Sequence, residues 1–113
     1  MAGYSSTPLV KKLGFKEGFK VYFKNQPGEY ENWLQPIPDN TLLLKRLTAD
    51  IDLIHCFVTR RRELEKGLKT YIEKIKQNGV IWVSWPKKTS KVDSDVTEDV
   101  VREVALPMGL VDV

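Results

Sequence analysis

The sequence predicts an α/β fold in which a small, mostly parallel sheet lies between layers of helix. Three observations predict it. The stretches 51–58 (IDLIHCFV) and 80–85 (VIWVSW) are nearly continuous apolar runs, the pattern of central strands covered on both faces. Between them Leu64, Leu68, Ile72 and Ile75 recur at helical spacing, and Tyr71 widens the stripe. A strand, an amphipathic helix and a second strand make a βαβ unit with a right-handed crossover. At 113 residues the chain is long enough for one domain on one core, so a single α/β domain over 1–113 is expected.

The elements follow in order. Thr7 is placed to cap a short helix, with Pro8 at its first position, Leu9, Val10 and Leu13 as its apolar side and Gly14 as its stop. The β-rich run 20–24 (KVYFK) ends in the turn formers Asn25, Gln26, Pro27 and Gly28. Tyr30, Trp33 and Leu34 predict a short helix over 29–35, which Pro36 and Pro38 terminate. The run 41–47 (TLLLKRL) is a second strand by its length and flanking turn residues, although its leucines suit a helix by propensity. Only Thr48, Ala49 and Asp50 separate it from 51–58, too few for an ordinary parallel crossover, so its direction stays open. The main helix is expected over 59–78, closed by Gly79. A last helix is expected over 96–108, with Asp95 and Glu98 at capping-box spacing and Gly109 at its end. Residues 110–113 read as the opening of another strand: either a short terminal strand suffices, or C-terminal strands follow beyond this sequence.

Composition excludes several classes. Hydrophobic residues make up 42% and charged residues 29%, the balance of a soluble globular protein. No apolar run approaches twenty residues and no secretory signal opens the chain, so a cytoplasmic protein without membrane contact is expected. One cysteine forms no internal disulfide, and Cys56 with the single His55 falls short of a zinc site built from cysteine and histidine. Neighbouring strand positions face opposite sides, which makes Cys56 a core residue and His55 a hydrogen-bonded group under a helix. Ser84 lies outside G-x-S-x-G with no second histidine for a base, so no hydrolase triad is expected. The glycine patterns for NAD, FAD and P-loop nucleotides are missing, and no cofactor or metal is expected. Trp82 and Trp85 fall on opposite faces and offer no shared stacking platform.

The candidate site follows from topology. Ligands of open parallel sheets bind beyond the carboxyl ends of the strands. That selects the loops 25–30, 59–62 and 85–90, and within them Pro27, Gly28, Thr59, Arg60, Lys87, Lys88 and Ser90 as the site for a small anionic ligand. The helix start near Arg60 would add N–H donors. Residues 1–91 hold 17 Lys/Arg against 9 Asp/Glu, while 92–113 hold 1 against 6. That basic part would attract an acidic partner, unless the acidic helix folds across it. Nucleic acid is not expected, because a phosphate track needs a broader basic stripe. A homodimer is expected if the sheet keeps an open edge.

The segments GYSSTPLVKKLGFKEG at 3–18, NQPGEY at 25–30, IDLIHCFVTRRRELEK at 51–66 and VIWVSWPKKTSKVDSDVTEDVVREVALPMGLVDV at 80–113 carry a resemblance, SWPKK with the TEDVVREVA helix being the most specific part. On them the chain resembles a family of small bacterial proteins, a domain of unknown function with a truncated methyltransferase-like Rossmann fold. The resemblance implies a Rossmann-like three-layer sandwich of reduced topology and no demonstrated activity. The function expected from the loop residues is non-catalytic binding of a small anionic ligand or an acidic partner. The alternative is an AdoMet-dependent methyltransferase-like enzyme with a degenerate cofactor loop. Against that alternative, Asn25 to Gly28 supply no acidic residue or glycine-rich loop, and Lys45 and Arg46 stand where an acidic ribose ligand belongs.

Overall fold

Four parallel strands in the order β2-β1-β3-β4 form the sheet. The computed structural model describes residues 9–111, so the expected Thr7 cap and Pro8, and residues 112 and 113, lie outside the described residues. Strand β1 (Lys20–Lys24) pairs with β2 (Leu42–Leu44) on one side and β3 (Ile51–Phe57) on the other; β4 (Ile75–Ser84) pairs with β3. Helices α1 (Leu9–Leu13) and α2 (Tyr30–Trp33) cover one face, and α3 (Arg61–Lys74) and α4 (Glu98–Ala105) the other.

Alternation along the strands divides the core. Val21 and Phe23 of β1 and Leu53 of β3 pack with Val10, Leu13, Phe15, Tyr30 and Leu34 under α1 and α2. Ile54 and Cys56 of β3 pack with Leu64, Leu68 and Tyr71 of α3 and Val104 of α4. Cys56 is a buried free thiol whose pKa is pushed up to about 12 by desolvation, so it stays protonated and behaves as the small hydrophobe expected.

The structure corrects the sequence expectations at five places. Strand β2 ends at Leu44, not at residue 47, and it is parallel to β1. Leu44 and Ile54 lie level across β1, so the chain must drop back only three residues, about 10 Å, to begin β3. The six residues 45–50 reach about 20 Å, enough to cross β1 without a helix. Helix α3 stops at Lys74, and β4 starts at Ile75 instead of residue 80. Opposite Ile51 and Leu53 stand Ile75 and Val80, so β4 carries three extra residues in a bulge. Gly79 therefore does not close a helix. A Cβ there would lie 2.4 Å from Ile75 Cγ1, so the missing side chain is what lets the bulge fold back.

Helix α4 starts at Glu98 with Thr97 as its cap, its hydroxyl accepting from Val100 N–H, and 106–108 is a 3-10 turn. Asp95 is not that cap. It serves α3 instead. Finally, β4 is not a covered central strand. Among the described residues it has β3 as its one neighbour, and Val80 and Trp82 are 39% and 38% exposed. Leu110 and Val111 form no strand. No helix among the described residues is long and apolar enough to cross a membrane.

Candidate functional site

Lys24 pairs with Cys56 and Cys56 with Val83, so β1, β3 and β4 end within one residue of the same level. The strand order reverses between β1 and β3, and the loops after these two strands leave in different directions. An open cleft of about 570 Å³ lies there, lined by Asn25, Pro27, Phe57, Thr59, Glu63, Ser84, Trp85 and Pro86, among others. All three strand ends expected to converge do converge on it. Asn25, at φ +59, reaches across the top and its Nδ2 donates to the Phe57 carbonyl at 3.4 Å.

The sequence-selected residues meet different fates. Pro27 and Thr59 line the cleft. Gly28 is exposed in the loop before α2. Arg60 turns to Asp93, 2.6 Å away, and Lys87 is exposed just past Pro86. Lys88 and Ser90 form a 3-10 turn in which the Ser90 hydroxyl donates to the Lys87 carbonyl at 2.6 Å.

The start of α3 is already occupied by carboxylates. Glu63 Oε1 accepts from Thr59 N–H, Thr59 Oγ1 and Arg60 N–H, each at 3.1 Å, and those bonds hold its pKa below the usual carboxylate range. Asp95 Oδ1 accepts from Arg61 N–H at 2.6 Å, while Asp95 N–H returns a bond to the Thr59 carbonyl. Arg61 also meets Glu103 at 2.8 Å. The acidic 93–103 segment thus folds across the basic helix start, where Asp95 takes the Arg61 N–H and Glu63 the Thr59 and Arg60 N–H groups, donors that an anion would use. The hydrogen bond to Arg60 lowers the Asp93 pKa, and the same pairing raises that of Arg60.

Below the cleft lies a polar chain that sequence reasoning missed. Tyr30 Oη stands 2.6 Å from His55 Nδ1, and His55 Nε2 stands 2.7 Å from Ser84 Oγ. Tyr30 and His55 are buried, and Ser84 reaches the cleft. Phe57 stacks on the His55 ring at 4.2 Å, while Phe23 and Phe57 meet the Tyr30 ring edge-on at 4.7 and 5.3 Å. This apolar box desolvates the imidazole and takes its pKa down to about 4, so His55 is neutral near pH 7. The Tyr30 phenol shifts upward for the same reason and remains protonated.

His55 and Ser84 come together because β3 and β4 are parallel, with His55 opposite Trp82. Two residues on, Ser84 faces the same side. That histidine is the one placed beside Ser84, where the sequence offered no second histidine. Among the described residues no group of three His, Cys, Asp or Glu is placed to hold a metal ion. Comparison with family models, curated proteins and solved structures finds no match to this chain.

Proposed function

We propose that this chain is a non-catalytic binding protein of Rossmann-like, reduced methyltransferase-like topology that holds a small flat ligand in the cleft between the ends of β1, β3 and β4. The observation that carries this proposal is the convergence of the three strand ends on one cleft at the reversal of strand order. Phe57, Trp85, Pro27 and Pro86 supply apolar walls, and Ser84, Thr59 and Asn25 supply polar atoms.

Charge discriminates among ligands. Arg60 is paired with Asp93 and the α3 start already carries Glu63 and Asp95, so anion binding rests on Lys87, exposed just past Pro86. A neutral ring fits the inner cleft better. The methyltransferase-like alternative has less support, because β1 runs into Asn25 and β2 into Lys45, without an acidic residue for a ribose.

A backbone-amide NMR titration with adenosine, inorganic phosphate and AdoMet tests the proposal. Adenosine is expected to shift residues 25–30, 57–63 and 84–87. Phosphate shifts at 87–90 with none from adenosine would restore the anion class, and saturable micromolar AdoMet binding would favour the enzyme. Shifts centred on 93–103 would overturn the site.

A second reading concerns association. The open edge of β4, with Val80 and Trp82 exposed, is a surface along which a second copy could pair. Sedimentation at rising concentration tests it: a monomer throughout would remove the dimer.

A further inference from the structure

The hydrogens of the Tyr30, His55 and Ser84 chain can be assigned by counting donors and acceptors. Tyr30 is 1% exposed, and among the described residues its hydroxyl has one polar partner, His55 Nδ1. If Nδ1 carried the imidazole hydrogen, it would donate to Tyr30 Oη. The phenolic hydrogen would then have no acceptor among the rings of Phe23, Trp33 and Phe57. A buried donor left without a partner is costly, and none of the buried side-chain polar atoms among the described residues lacks one. The opposite assignment strands nothing. Tyr30 donates to Nδ1, the neutral imidazole carries its hydrogen on Nε2, and Nε2–H donates to Ser84 Oγ. The Ser84 hydrogen is thereby left free to point away from His55, and Ser84 borders the cleft.

We infer that Ser84 is a specificity-determining hydrogen-bond donor in the cleft, held in that role by Tyr30 and His55 as positioning residues, and that the ligand bears an acceptor on a flat ring. The acceptor is a carbonyl or ring nitrogen set against Ser84, with the ring between Phe57, Trp85 and Pro86. This inference rests on the cleft being the ligand site. It also explains why Ser84 beside a histidine is not an activated nucleophile: Nε2 already holds a hydrogen and has no lone pair to take the serine proton.

Two measurements on the full chain separate the inference from the site proposal. The first reads the tautomer of His55 from its imidazole ¹⁵N shifts near pH 7. A pyridine-like Nδ1 with a pyrrole-like Nε2 is expected, and the reverse would overturn the donor chain with no ligand involved. The second compares acetophenone with α-methylstyrene, in which a CH2 group replaces the carbonyl oxygen, so that only the first carries an acceptor. Acetophenone is expected to bind at the cleft about tenfold more tightly, the worth of one neutral hydrogen bond. Ser84→Ala is expected to bring that ratio to about one, and Ser84→Thr to restore part of it. Equal binding of both probes at the cleft, unchanged in Ser84→Ala, would overturn the donor role and leave the site proposal standing. If neither probe perturbs the cleft, the site proposal and the ligand class fall together, whatever the tautomer.

Discussion

The two faces of the sheet are built differently. Over one lie α3 and α4, fourteen and eight residues long, packed through aliphatic side chains and Tyr71, with Arg61 and Glu103 paired across their outer surface. Over the other lie α1 and α2, five and four residues long among the described residues, and the covering there is largely aromatic: Phe15, Phe23, Tyr30 and Phe57. The buried polar chain belongs to this face, while the cleft at the strand ends draws its lining from both sides of the sheet. Long periodic helices stabilise by covering area, but they bury whatever lies beneath them. An aromatic cover desolvates the groups below. One face therefore carries the long aliphatic cover and the other the buried polar chain.

Breaking the aliphatic face should have the largest effect. Leu68→Ala removes a fully buried side chain between α3 and the sheet and is expected to cost about 3 kcal/mol in urea unfolding, leaving the His55 tautomer unchanged. Acid should act through the aromatic face. The folded-state pKa of His55 lies near 4, below the ordinary 6.5, so the unfolded chain binds more protons between those values. Stability from this group is complete above about pH 6.5 and falls as pH drops toward 4, by on the order of 3 kcal/mol. Denaturant midpoints measured across that window should show the fall in the native protein, and His55→Gln should flatten it.

The difference between the faces is also a difference in legibility. The α3 face announced itself through Leu64, Leu68 and Tyr71, because helical periodicity is a local signal. The cleft loops were legible too, since ligand placement beyond strand ends follows from βαβ topology alone. What stayed hidden was register. His55 and Ser84 are 29 residues apart, and only the parallel pairing of β3 with β4, offset by a three-residue bulge, sets them on one side of the sheet. Nothing local in IDLIHCFV or VIWVSW encodes that bulge. Asp95 misled for a related reason: its spacing to Glu98 suggested a cap for its own helix, but tertiary folding gives its carboxylate to Arg61 N–H of α3. The direction of β2 stays open in the sequence, since a strand over 41–47 leaves only Thr48, Ala49 and Asp50 before β3; β2 ends at Leu44, and six residues make the parallel return.

Smaller perturbations sharpen the contrast. Tyr30→Phe deletes one donor while keeping the aromatic packing, and about 1–2 kcal/mol of destabilisation is expected in urea unfolding. Its hydrogen-exchange changes should be confined to α2, β3 and the end of β4, without reaching α4. Asp95→Ala removes an N-terminal partner of α3 and is expected to cost about 1 kcal/mol, with faster amide exchange at Arg61. Arg60→Gln breaks a solvent-exposed pair with Asp93, and no measurable change in the denaturation midpoint is expected at physiological salt.

The most direct test of the division between faces is the titration of His55 itself, followed by NMR of its ring signals from pH 8 down to the onset of unfolding. A sealed imidazole, boxed by Phe57 and Tyr30 and hydrogen-bonded at both nitrogens, should remain neutral through pH 6 and begin to protonate only near pH 4. A midpoint at the ordinary value near 6.5 would mean that water reaches the ring freely. That result would contradict both the buried polar chain and the distinction between the aliphatic face and the face that holds that chain.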